Sequence, residues 1–141
     1  MSDTLPRIVL DTNVLYAGLY SARGKSYQLL RAIDEGRVRI ALSTPLLFEY
    51  EDVLKRNRAT LNLNDAEVEV LLDNLCAIAD FQAIYFLWRP CLPDANDDMV
   101  LELAVAAQVQ RIVSFNAKDF GPASRFGIEI VTPKIMLEEL Q

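Results

Sequence analysis

Three apolar residues, Ile8, Val9 and Leu10, run without interruption into Asp11. A strand wetted on one face alternates apolar with polar, so an unbroken run marks a strand buried on both faces, as in the middle of a parallel sheet. Parallel strands cannot be joined by hairpins; each needs a crossover, usually a helix. The rest of the chain supplies those crossovers. Thr12 and Asn13 turn the chain into a short apolar helix through Tyr16 and Leu19, broken at Ser21, Ala22, Arg23 and Gly24. A second helix is expected over residues 26–35, stopped by Gly36. Residues 39–43 read as the second strand. Thr44 is the expected N-cap and Pro45 the first residue of the next helix, which carries Leu46, Leu47, Tyr50, Val53 and Leu54 on one face. Asn64 and Glu67 form a capping box for the helix after it. Residues 83–88 are expected as the third strand and 89–95, with Pro90 and Pro93, as a loop. A helix over 97–108 and a fourth strand over 112–114 follow. Phe120, Gly121 and Pro122 make a turn, residues 128–131 a fifth strand, and Pro133 opens a last helix to Leu140. The class is α/β: a parallel sheet of about five strands flanked by helices on both faces, one domain over residues 1–141.

Composition narrows the chemistry. There is no histidine, which removes a Ser-His-Asp triad, a Cys-His pair and His-ligated zinc. Cys76 and Cys91 lack metal or redox spacing and read as core thiols. A net charge of −6 argues against a nucleic-acid coat protein. It leaves room for a nuclease whose acids hold metal. No apolar run approaches membrane-spanning length and the start, MSDTLPR, lacks a signal-peptide pattern; a cytoplasmic protein with no membrane contact is expected.

The stretch DANDDMVLELAVAAQVQRIVSFNAKDF, residues 94–120, concentrates the polar signal. Asp94, Asp97 and Asp98 gather where an apolar helix starts, and Ile112, Val113 and Ser114 empty into Asn116, Ala117, Lys118 and Asp119. One acid at a helix start is an ordinary cap or dipole partner; three, with a polar loop after the next strand, ask for more. Strand ends of a parallel sheet share one edge. Asp11, an acid of the helix after strand two, Asp97 or Asp98, and Asn116 with Asp119 therefore converge there. Glu49 and Glu51 flank the apolar stripe of their helix about equally, and Glu49 is nearer its start. Converging carboxylates repel unless a cation compensates, and a hard cation such as Mg²⁺ or Mn²⁺ suits them. Lys55, Arg56 and Arg58, or Arg23 and Lys25, are candidate phosphate contacts, with solvated surface charge the plainer reading. Tyr16, Leu19 and Tyr20 are a candidate homodimer surface.

Four pieces in order resemble a PIN domain: IVLDTNV from Ile8, residues 43–54 with Glu49, Asn96–Asp97 before an apolar helix, and VSFNAKDF from Val113. The tail GIEIVTPKIML also fits, so the likeness spans nearly the whole chain, and it is strongest for the bacterial toxins of toxin–antitoxin pairs. The resemblance implies a Rossmann-like sheet and a VapC-like, metal-dependent endoribonuclease, dimeric and held by a small antitoxin protein. It implies Asp11, Glu49, Asp97 and Asp119 as the catalytic acids, with Asp11, Asp97, Asp119 and Asn116 around Mg²⁺ or Mn²⁺. Asp97 is preferred to Asp98 because Ala104, seven residues on, matches the family's small helix residue. Many PIN domains have Asp at Asn116 and Thr at Ser114; Asn brings no charge to a second metal position. A non-catalytic PIN-like binding module with a weakened acidic site is the alternative. A receiver domain needs adjacent acids after strand one, and a haloacid-dehalogenase-like phosphatase needs Asp-x-Asp; Asp11, Thr12 and Asn13 offer neither.

Overall fold

A computed structural model describes residues 5–84 and 95–141, and the side chains of residues 97–141 within the second stretch. Five strands, β1 (Arg7–Leu10), β2 (Arg39–Leu42), β3 (Asp80–Phe81), β4 (Arg111–Val113) and β5 (Glu129–Val131), form one sheet in the order β3-β2-β1-β4-β5. Every pairing is parallel. Ile8, Val9 and Leu10 are all wholly buried. Successive strand side chains point to opposite faces, so helices cover both sides of the sheet, as the unbroken apolar run requires. The sequence moves from β1 outward through β2 and β3, then returns to the other side of β1 through β4 and β5. The reversal leaves a crevice past the ends of β1 and β4, where open α/β sheets bind ligands.

The connections are helices α1 (Thr12–Tyr20), α2 (Lys25–Asp34), α3 (Thr44–Arg56), α4 (Arg58–Leu61), α5 (Asp65–Ile78), α6 (Ala95–Ala106) and α7 (Pro133–Glu139), with a 3₁₀ helix at Ala117–Phe126. The capping box forms as read: Glu67 N donates to Asn64 Oδ1 at 2.8 Å and Asn64 N to Glu67 Oε1 at 2.9 Å. Cys76 lies half-buried on α5, and burial pushes its thiol up, as a core thiol requires. Cys91 lies outside the described residues.

Four expectations are corrected. The cap of α3 is Ser43, whose Oγ accepts from Leu46 N at 3.3 Å, so Thr44 is already helical. Either hydroxyl could cap, and extended backbone at Ser43, φ −127° and ψ 163°, decides it. The third strand comes earlier than residues 83–88: β3 is Asp80–Phe81, and Ala83 and Ile84 are in no strand, while 85–88 lie outside the described residues. Asp80 is fixed there by ion pairs to Arg7 and Arg39, which an apolar pattern does not register. In place of a turn at Phe120, the chain takes a 3₁₀ helix kinked at that residue, because Phe120 and Ala123 are buried. Of the three expected surface residues, only Tyr20 is strongly exposed; Tyr16 and Leu19 pack against the core. No helix among the described residues is long and apolar enough to cross a membrane.

Candidate active site

Asp11 follows β1 and caps α1. One carboxylate oxygen accepts from Thr12 N at 2.8 Å and the other from Ser114 Oγ at 2.7 Å. Its backbone N–H donates to Val113 O at 3.0 Å, continuing the β1–β4 ladder. Asn116 N donates in turn to Ser114 Oγ at 3.0 Å. The Ser114 hydroxyl thus accepts from the loop and gives its own proton to Asp11, tying the two strand ends together across the crevice. Ser114 is buried.

A second strut comes from α3. Tyr50 is wholly buried and its hydroxyl donates to Leu10 O at 2.6 Å, directly behind Asp11. Burial, and secondarily the Asp11 charge, holds that hydroxyl far above the usual tyrosine range. It is therefore a permanent donor that fixes the end of β1 and takes no part in proton transfer.

Glu49 precedes Tyr50 and lines a cleft of about 500 Å³ together with Asp11, Asp97, Asn116 and Asp119. Asp97 comes from the first turn of α6, Asn116 and Asp119 from the start of the 3₁₀ helix. The open choices of the sequence separate here. Glu51 turns to Lys55, with Nζ to Oε2 at 3.2 Å, while Glu49 faces the cleft. Asp98 is not among the residues lining the cleft, and Ala104, about two turns along α6 from Asp97, is wholly buried. Asp94 lies outside the described residues. The expected phosphate contacts on α3 and α4 are engaged elsewhere: Lys55 with Glu51 and Glu69, Arg56 with Asp52, Arg58 with Asp65. Arg23 does not line the cleft either.

The donor set fits a divalent cation in one manner. Among the described residues no three acidic side chains stand close enough to close on one ion by themselves. The carboxylates nevertheless share one cleft, so a cation there keeps part of its water shell, as Mg²⁺ prefers. Asn13, on the same cleft, has a buried Oδ1 with no hydrogen-bond donor among the described residues. A cation's waters carry such donors.

Ser114, Tyr50 and Asn13 were not singled out as site residues from the sequence. Ser114 stood out only as a departure from a family pattern, and Tyr50 as one residue of an apolar stripe. Nothing in sequence spacing reports that a phenol oxygen reaches a carbonyl 40 residues away.

The PIN domain pattern matches residues 7–118, ending one residue short of Asp119. No curated protein matches the chain. Among solved structures the fold is similar to a chain of VapBC2 from Rickettsia felis, determined bound to a DNA fragment from their promoter. The TM-score is 0.61 and the identity 15%, over 89% of this chain and 98% of that one. The sheet order, the crevice at its reversal and the family pattern over most of its length agree: the chain belongs to the PIN domain family.

Proposed function

We propose that the chain is a metal-dependent endoribonuclease and the toxin of a toxin–antitoxin pair. The observation that carries the catalytic part is the meeting of Asp11, Glu49, Asp97 and Asp119 with Asn116 on one cleft beyond the strand ends. Mg²⁺ or Mn²⁺ shared among Asp11, Asp97, Asp119 and Asn116, in part through its own waters, would supply a Lewis acid at the phosphoryl group and a water of lowered pKa. Glu49 orients the attacking water and takes its proton. Asp11 is held in place by the donors Thr12 N and Ser114 Oγ. With no histidine in the chain, attack by the 2′-hydroxyl lacks its usual base, so water is the nucleophile. The products then carry a 5′-phosphate and a 3′-hydroxyl.

The proposed partners are supported by the family and, for the antitoxin, by the likeness to VapBC2. They are RNA as substrate, a small antitoxin protein, and a second copy in a homodimer, in the cytoplasm. Light scattering that finds only monomer at high concentration contradicts the dimer. The deciding assay is end-labelled RNA with Mg²⁺, Mn²⁺ or EDTA. Cleavage is expected with metal and abolished by EDTA. Cleavage that persists in EDTA, or leaves a 2′,3′-cyclic phosphate, overturns the mechanism; RNA binding without any cleavage favours the non-catalytic binding module.

A further inference from the structure

Beside the acidic cleft lies a groove of about 470 Å³ walled by Tyr16, Tyr20, Phe115 and Pro133. Tyr16 lines both, and Phe115 sits between Ser114, which holds Asp11, and Asn116, which lines the cleft. Tyr16 and Tyr20, one helical turn apart, stack with centroids 5.9 Å apart and planes 18° from parallel. Tyr20 is 62% and Phe115 50% exposed, large values for rings this size. The far rim carries Lys25 and Lys134, which also line a third, polar groove of about 570 Å³. Among the described residues neither lysine makes an ion pair, whereas Lys55, Arg56, Arg58 and Arg111 each do. The surface thus reads in order: carboxylates, aromatic rings, lysines.

Unpaired nucleotides match that order. A base stacks on an aromatic face whatever its identity, and the next phosphate meets a cation. Bases inside a duplex offer no free face. A second copy of this chain matches less well, because an isologous contact centred on the groove brings each pair of lysines against its own counterpart. We propose that the groove is a subsite for single-stranded RNA: Tyr20 and Phe115 stack one or two bases next to the bond in the cleft, and Lys25 and Lys134 hold the phosphates beyond. The proposal rests on the nuclease reading for its choice of RNA.

Binding and cleavage are measured separately. A fluorescent five-nucleotide RNA is titrated in Ca²⁺, and the same RNA without the label is cleaved in Mn²⁺. The expected result for Tyr20→Ala with Phe115→Ala is a Kd and KM raised about 5- to 100-fold with kcat little changed, the loss typical of base stacking. Tyr20→Phe and Phe115→Tyr keep the rings and should keep the affinity. RNAs carrying one abasic position, moved along the strand, should bind wild type more weakly at one or two positions and the double alanine variant equally at all. Lys25→Glu with Lys134→Glu should weaken binding and flatten its salt dependence. Wild-type cleavage with groove variants of unchanged Kd and KM overturns the subsite and leaves the nuclease standing. Groove-dependent binding with no cleavage by wild type does the reverse. A double alanine variant that shifts dimer to monomer with unchanged RNA affinity marks the groove as a self-association face and also overturns the proposal.

Discussion

The two ends of the sheet use charge in opposite ways. At the strand starts, Arg7 and Arg39 stand directly opposite each other on β1 and β2. Asp80 takes both: Arg39 Nε donates at 2.8 Å, with its Nη2 on the second oxygen, and Arg7 Nη1 at 3.4 Å. Arg111 on β4 likewise meets Glu139 at 3.0 Å and Glu129 at 3.6 Å. Unlike charges there neutralise each other. At the strand ends, Asp11, Glu49, Asp97 and Asp119 gather on one cleft with like charge. Like-charge convergence works against folding, so its presence at one end only points to binding, not to architecture.

The largest effect expected is on cleavage. Asp11→Asn or Asp97→Asn should lower kcat/KM by about 10³-fold, roughly 4 kcal/mol of transition-state stabilisation. Asp98→Asn, whose side chain does not line the cleft, should leave it near wild type. Equal losses at Asp97 and Asp98 would break the assignment. Glu49→Gln should cost about 10²-fold, the lower range for a general base, while Glu51→Gln is spared; a silent Glu49→Gln removes it from proton transfer.

The acids' meeting place was legible because it follows from topology. Once Ile8, Val9 and Leu10 mark a buried parallel strand, Asp11 and the loop after β4 must share an edge. Which acid of a neighbouring pair faces inward was not legible on periodicity alone. Glu49 and Glu51 flank one stripe, and the structure separates them by giving Glu51 to Lys55. The position of β3 was not legible either, since Asp80 is held by charge pairs whose partners lie 41 and 73 residues away. The same limit hid Ser114 and Tyr50, whose value lies in contacts between strands and helices distant in sequence.

Smaller effects sharpen the contrast. Ser114→Ala removes a donor to Asp11 and should weaken Mn²⁺ binding roughly 10- to 100-fold, as loss of an outer partner does at metal sites; unchanged affinity by calorimetry would show that Asp11 is positioned without the Ser114 hydroxyl. Tyr50→Phe deletes a buried hydrogen bond to Leu10 O and should cost about 1–2 kcal/mol in urea unfolding. A cost near zero would mean that the carbonyl finds another donor.

Smallest is Asp80→Asn. The hydrogen bond from Arg39, then its charge and that of Arg7, hold the Asp80 carboxyl below the usual range. A depressed carboxylate stabilises the fold at neutral pH, and that contribution is lost as pH falls through the folded-state value. Wild type and Asp80→Asn should therefore differ slightly in melting temperature at pH 7 and converge on acidification. A gap that widens toward low pH would reverse the sign and contradict the ion-pair reading.

The contrast between the two ends is tested most directly by calorimetric titration of Mn²⁺ into wild type, Asp97→Asn and Asp80→Asn at neutral pH. Each acid is removed by the same chemical change, one from each end of the sheet. Wild type and Asp80→Asn are expected to bind Mn²⁺ with equal affinity, and Asp97→Asn to lose at least about tenfold. Equal weakening in both variants, or no Mn²⁺ binding by wild type, would contradict it.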